Sequence, residues 1–389
     1  MTRSRVVWIL GLALGVRLAS AAIAYVVVVS GRPYEPAREH QPDFEVFDDP
    51  LWNTFTRYDA GWYVNIARFG YEARPHRQSN IAFFPAYPVL MRGVRDALLV
   101  NVRPRRLSWY LAGVLVSWGC FAAALLLFYA LACLDLDEGS AQRAVAYLSI
   151  FPGAFYFGEV YSESLFLLVT LASVYGFRKG RFLLGGLFGA LACLTRVNGL
   201  FALPALALAG WPVARQQERG PAKLCGGLAL AAAGLGAFCL FDYWSFHNPF
   251  EWAAIIQRSW DYTPGGSPWS AYTTLLGQLF SWSPVRILPS ADPPCALLNG
   301  TAGLLMVAAV PFVWLRLGPA YAVFMLANLW VPLSSGALEG LARYTAVLFP
   351  FALVISFHRN RAIHAAAMIT FSMFYALLLG MVTLGYPLH

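Results

Sequence analysis

Charge is scarce in this sequence. Only 12% of its 389 residues are Asp, Glu, Lys or Arg, about half the share in a soluble globular chain. That shortage excludes an ordinary water-soluble domain. Lysine is nearly missing: Lys179 and Lys223 stand alone, and every other basic side chain is arginine. With abundant Ala, Gly and Leu, this bias points to a high-GC bacterial genome. The six cysteines contain no CxxC pair, so neither a zinc site nor a disulfide scaffold is indicated. Cys120, Cys133, Cys193, Cys225 and Cys239 fall in or beside apolar runs, and Cys295 alone falls in a polar loop. They read as small apolar filler. Glycine-rich phosphate loops, zinc-ligand patterns and serine-hydrolase elbows are also missing.

What the chain has instead is apolar length. Hydrophobic residues make up 59% of it, and mean hydropathy is +0.56. Apolar runs of roughly 17–25 residues read as transmembrane helices. The expected fold is an all-α polytopic membrane protein with about eleven spans in a single domain, 1–389. The expected spans are 6–29, 107–133, 143–158, 161–177, 182–196, 199–213, 223–245, 299–316, 319–335, 341–357 and 362–385. The first is too long for the apolar core of a signal peptide and reads as an uncleaved span.

Arginine and lysine set the expected orientation, because they favour the cytoplasmic side in short loops. With Arg3 and Arg5 inside, the connections 134–142, 178–181, 214–222, 316–318 and 358–361 also face inside. The net charge of +8 is then a matter of topology and calls for no nucleic-acid partner. Residues 81–100 are a rival span, but Pro85, Pro88, Arg92, Arg95 and Asp96 argue against full burial. They read as an amphipathic helix on the outer surface. Two large outer segments result, 30–106 with juxtamembrane helices and 246–298.

The unusual polar residues converge on that outer face. Asp59 lies in Arg57-Tyr58-Asp59-Ala60-Gly61-Trp62-Tyr63, where Tyr58, Trp62, Ile66 and Phe69 recur at helical spacing. It is either a helix cap or a catalytic carboxylate. Upstream, Asp43, Glu45, Asp48 and Asp49 read as a solvated acidic loop rather than a metal site. Glu163, in Tyr161-Ser162-Glu163-Ser164, stands at a membrane boundary where ionisable groups are costly. Glu159 shares that position, and Ser162 or Ser164 could cap the next helix. Arg196 and Asn198 interrupt two apolar runs, and Arg343-Tyr344 follows Glu339 near the mouth of a later one. A guanidinium's planar fork suits phosphate, although an interfacial anchor or an ion pair explains each arginine too. Arg17, inside the first span, is open to pairing or snorkelling. No segment is available for a soluble α/β nucleotide domain, so a sugar donor would have to arrive through the membrane.

Together these residues resemble the PIG-V family of mannosyltransferases, within the GT-C superfamily of lipid-donor glycosyltransferases. Five segments carry the resemblance in order. They are Tyr58-Asp59-Ala60 with Ile66-Ala67 and Gly70-Tyr71, then Ala82-Phe83-Phe84-Pro85 with Pro88, then Tyr161 to Phe166. Thr195-Arg196 with Asn198-Gly199 and Arg343-Tyr344 with Phe349-Pro350 complete the set, and Tyr243 to Trp260 looks like the family's loop segment. Tyr58 departs from the family's usual Trp before the Asp. The resemblance implies a GT-C fold with its active site on the outer face. It implies a polyprenyl- or dolichyl-phosphate-linked sugar as donor, mannose first, and a glycolipid or glycan acceptor. Asp59 would be the catalytic base. Arg196, Arg343 and Tyr344 would bind donor phosphate, and Tyr58, Trp62, Tyr161, Ser162, Glu163 and Asn198 would position sugar or acceptor. A flippase or transporter of lipid-linked sugars is the rival expectation, weakened by the lack of a visible internal repeat. No visible ligand set requires a metal. Transfer activity should therefore survive EDTA undiminished, and its complete loss would contradict that expectation.

Overall fold

The computed structural model describes residues 1–32, 50–74, 78–260, 266–267, 269–273, 276, 293–335, 338, 340–386 and 388. Among the described residues all regular structure is helical. Among the described residues five helices are long and apolar enough to cross a membrane: Arg3–Ser30, Arg105–Ala132, Gly220–Phe246, Cys295–Leu317 and Arg361–Leu384. Their outer faces remain apolar, with Leu14, Leu18, Val26, Phe312 and Leu315 exposed. Such faces suit lipid, and a helix satisfies its own backbone there. The all-helical membrane architecture expected from the sequence is borne out.

Several expected spans are broken, and proline explains the breaks. Residues 143–158 do not form one helix. Glu138–Ile150 is followed by a 3-10 turn, Pro152–Gly158. Phe151 between them is extended, because the residue before a proline is pushed out of the helical region. The turn and the helix Glu163–Arg178 pass together as one span, bent by 101°. Residues 341–357 likewise divide into Leu341–Ala346 and Pro350–Ile355. Phe182–Thr195, Asn198–Ala214 and Pro319–Leu333 are shorter apolar helices at other expected positions. Cys295 is not in a loop. It is buried in the helix Pro293–Leu317, which starts before residue 299.

Small residues bring some helices close. A Cβ on Gly186 would lie 2.3 Å from the Gly227 carbonyl oxygen, so Phe182–Thr195 and Gly220–Phe246 pack backbone to backbone. Elsewhere Ala86–Leu98 is a two-faced helix, with Tyr87 and Met91 buried and Val89, Arg92 and Leu98 exposed. Phe69, however, is exposed on a helix, Ala60–Phe69, that is otherwise mostly buried. That segment is wedged into the bundle rather than laid along its surface.

The fate of Arg17 shows how the bent span is held. It does not snorkel, and among the described residues it makes no salt bridge, although the Glu159 carboxylate is near enough to attract it. Its guanidinium donates to the carbonyls of Phe155 at 3.2 Å and Ala154 at 3.1 Å, and to the Tyr375 hydroxyl at 3.0 Å. It also lies 4.5 Å from the Phe121 ring centroid. One side chain thereby ties the first and last long helices to the 3-10 turn, whose carbonyls need donors.

The helix Glu163–Arg178 has 16 residues, so its ends lie about 24 Å apart. At the Arg178 end, the guanidinium grips Asp135 with two bonds of 2.7 and 3.0 Å, and the Tyr321 hydroxyl donates to the same carboxylate at 2.8 Å. Arg143 donates to the Ser356 carbonyl at 3.0 Å near that end. The Glu163 end holds the site described next. We expect Arg17→Leu to lower stability in detergent by about 2 kcal/mol, since it strands buried acceptors. Thermal unfolding of the purified protein checks this, and an unchanged midpoint would contradict it.

Candidate active site

Backbone geometry presents Asp59. Tyr58 has φ 53°, in the left-handed region, which bulky residues rarely adopt and which tends to mark functional turns. Asp59 follows at the N-cap position of Ala60–Phe69. Its carbonyl accepts from the backbone amides of Trp62 and Tyr63, but its side chain makes no capping bond. Capping is thus not what the carboxylate does. It instead accepts a hydrogen bond from Arg343.

Arg343 enters from Leu341–Ala346. Besides Asp59, it forms an ion pair with Glu163, with Nε 2.6 Å from Oε1 but not aligned for a hydrogen bond. Arg196, at the C-cap of Phe182–Thr195, donates to that same Glu163 oxygen. The four charges therefore alternate in a chain: Asp59, Arg343, Glu163, Arg196. Side-chain exposure is only 1% for Glu163 and 13% for Asp59. Buried charges persist when paired with opposite charge and hydrogen-bonded, and two carboxylates against two guanidiniums leave no net charge.

Neither serine near Glu163 caps through its side chain. Ser162 Oγ accepts from Tyr63 at 2.8 Å and from Arg196 at 3.3 Å. Ser164 Oγ donates to the Phe157 carbonyl at 2.8 Å. Burial pushes the Tyr63 phenol well above its ordinary pKa, so it remains a neutral donor to Ser162. Tyr344 and Tyr161 provide aromatic faces. The Arg196 guanidinium carbon lies 4.7 Å from the Tyr344 ring, and that of Arg343 lies 5.0 Å from Tyr161 and 5.8 Å from Tyr344. Such stacking favours a desolvated cation. Tyr161 also donates to the Arg57 carbonyl at 3.1 Å.

The arginines are not used up by these contacts. Among the described residues, no protein atom accepts from Arg343 Nη2, or from Nε and Nη2 of Arg196. None of these three is sealed from solvent, whereas Glu163 Oε2 is sealed and accepts nothing. Guanidinium groups from two helices therefore present unspent donors beside a carboxylate. Unspent guanidinium donors of this kind suit an oxyanion.

The other expected residues lie around this core. Trp62 stacks on Phe83 at 5.9 Å, and the Trp260 ring lies 5.4 Å from Trp62. Tyr58 donates to the Tyr386 carbonyl at 2.8 Å. Asn198 donates to the Asn328 carbonyl at 3.3 Å, so it ties helices and does not touch the charges. Two residues escaped sequence reasoning. Tyr63 lies four positions after Asp59, close enough in helical spacing to share its face. Asp242 is a lone carboxylate in the apolar run 223–245, a costly placement that flags function or structure. Its Oδ2 accepts from the Trp252 amide at 3.0 Å, near the start of Glu251–Ser259, the helix that leads to Trp260. Asp43, Glu45, Asp48, Asp49 and Glu339 lie outside the described residues. Among the described residues no group of three His, Cys, Asp or Glu side chains could hold a metal.

Fold and charge chain define an integral membrane protein with a buried ionic site at one end of its helices. In sequence, residues 35–210, somewhat under half the chain, match the model of the mannosyltransferase (PIG-V) family. The resemblance expected above is borne out over that range. The matched range contains Asp59, Glu163 and Arg196 but not Arg343. No curated protein matches the chain in sequence. Among solved structures, it is similar to the Archaeoglobus fulgidus oligosaccharyltransferase in its apo form, with 14% identity and a TM-score of 0.44, covering 97% of this chain and 56% of that one. It is also similar to the oligosaccharyltransferase AglB of that organism in complex with an inhibitory peptide and a dolichol-phosphate. There the identity is 13%, the TM-score 0.41, and the coverage 96% of this chain and 56% of that one. The chain thus spans about half the length of the solved structures it matches.

Glu163→Gln should destabilise the protein by about 3 kcal/mol, because breaking one partner from a buried ionic set leaves uncompensated charge. Chemical or thermal unfolding in detergent measures this; stability equal to wild type would show that Glu163 does not hold the arginines.

Proposed function

We propose that this protein transfers a sugar, mannose first, from a polyprenyl- or dolichyl-phosphate donor to a glycolipid or glycan acceptor. The observation that carries this reading is the buried chain Asp59–Arg343–Glu163–Arg196, which joins a carboxylate to guanidiniums with unspent donors. A GT-C arrangement accords with the family match and the helical architecture. The outer segments offer little room for a protein-substrate domain, which favours a small glycan or lipid-borne acceptor.

The proposed reaction is a single displacement with inversion. Asp59 takes the acceptor hydroxyl proton as that oxygen bonds to the anomeric carbon. Help of this kind is typically worth roughly 10²–10⁴-fold. The bond from the anomeric carbon to phosphate breaks, and its electron pair stays on the phosphate oxygen. A lipid phosphate leaves as an anion and needs charge stabilisation rather than a proton. Arg343 and Arg196 supply it, with Tyr344 behind both guanidiniums. Tyr161, Ser162 and Glu163 hold the arginines in place. Trp62 and Tyr58 line the entrance for sugar or acceptor, and Asn198 acts from outside the charge chain. We place the site on the outer face of a bacterial inner membrane, with a cytoplasmic N-terminus, as the distribution of arginine in short loops supports.

In membranes supplied with radiolabelled polyprenyl-phosphate-mannose, wild type should transfer label and Asp59→Asn should lose at least a hundredfold of that rate. The product anomeric configuration, read by NMR, should be opposite to the donor's. Retention would overturn the single displacement, and equal transfer by both proteins would remove Asp59 as base.

A further inference from the structure

The charge chain poses a chemical difficulty for the function proposed above. A carboxylate in contact with a guanidinium is a poor base, because the neighbouring positive charge favours its ionised form. Asp59 is in such contact here, since Arg343 donates directly to it. The groups facing this corner are Arg343 and Tyr344 from Leu341–Ala346, Glu159, Tyr161 and Glu163 from the bend with Tyr156 just before it, Tyr63 from Asp59's own helix, and Arg196 beyond Glu163. Among the described residues Arg343 is the cation that donates directly to Asp59, and it occupies the Oδ2 oxygen.

Arg343 also has somewhere else to go. Its Nη2 has no protein acceptor among the described residues and is not sealed from solvent. Arg196, similarly under-used, is held beside it through the shared Glu163 oxygen. Glu163 keeps a second oxygen, Oε2, that is buried and accepts nothing. A buried acceptor without a donor is costly, and here it lies where a rotated guanidinium could meet it. The cluster thus has both a vacant acceptor and vacant donors, which allows its hydrogen bonds to be rearranged without moving a helix.

We propose that Arg343 masks Asp59 until a donor binds, and that the donor's phosphate unmasks the base by drawing the Arg343 guanidinium onto itself. This rests on the donor being a lipid-linked sugar phosphate. Charge is conserved through the step. Before transfer, Asp59 and the phosphodiester each carry one negative charge. The acceptor proton then moves to Asp59 and the broken bond's electron pair moves to phosphate, which holds both negative charges afterwards. Arg343 lies between the two sites and follows the charge from one to the other. Donor must bind before an acceptor hydroxyl can be activated, so the order of binding is set by an ion pair.

The test measures protonation of Asp59 directly, without turnover. A hydrophobic carbodiimide labels protonated carboxyl groups, and mass spectrometry quantifies labelling at Asp59 as pH is varied. The probe is farnesyl phosphate, with farnesol as the uncharged control and thermal shift as the measure of binding. Saturating farnesyl phosphate should raise the pH midpoint of labelling by about one unit or more, equivalent to a tenfold change in proton affinity. Farnesol should leave it in place. Arg343→Gln should show the raised midpoint without any probe. An unmoved wild-type midpoint with farnesyl phosphate bound would overturn the masking and leave the transferase reading intact. A rise of equal size in Arg343→Gln with bound probe would assign the effect to the anion alone and overturn the handover. Failure of wild type to bind farnesyl phosphate would overturn the donor reading and the masking together. Since two wild-type arms can refute the proposal, it does not depend on Arg343→Gln folding.

Discussion

A single carboxylate oxygen organises this site. Glu163 Oε1 meets both Arg343 and Arg196, and those arginines come from segments far apart in the chain. In a low-dielectric interior an unpaired charge is expensive. Glu163 can be there only because both cations are, and they can be there only because of Glu163 and Asp59. The bend that delivers Glu163 is itself conditional. It depends on Pro152 to stop one helix and on Arg17 to satisfy the carbonyls that the stop exposes. Helix breaking, a buried cation and the charge chain are consequently one problem with one solution.

Membrane helices tolerate such irregularity only where it is enclosed by protein. The broken segments here follow that rule. Residues 154–167 are buried throughout, while the straight helices carry the exposed apolar faces. The aromatic packing of Trp62, Phe83 and Trp260 continues the enclosure into the outer segments, and Asp242 fixes the helix that bears the last of these rings.

Much of this was legible in the sequence. Apolar run lengths give the membrane class directly, and Asp59, Glu163, Arg196 and Arg343 stand out as charges where charge is costly. Their mutual contacts are not legible, because nothing local encodes which of two arginines meets which acid. Asp59 could be read equally as a cap until its side chain was seen to point elsewhere. Breaks in the expected spans were under-read for a different reason. Hydropathy averages across Pro152 and Pro350, although each proline signals locally that a helix cannot continue unbent. Arg17 resisted a choice because its partners are backbone carbonyls, which carry no residue-specific signature. Tyr63 and Asp242 were missed because a tyrosine in an aromatic-rich helix and one acid at the end of an apolar run look ordinary in isolation.

The helix Glu163–Arg178 is clamped by ions at both ends, and the clamps differ in when the ribosome supplies their parts. Glu163 and Arg196 are separated by 33 residues, whereas Arg343 lies 284 residues after Asp59. The clasp of Asp135 with Arg178 needs 43 residues, but its tyrosine arrives with residue 321. Chains emerge from the N-terminus onward, so the inner acid–base pairs can form while the protein is being inserted. Asp59 remains unclaimed until Arg343 is made. Arrival of that residue, rather than of the fold around Asp59 alone, is therefore what closes the site.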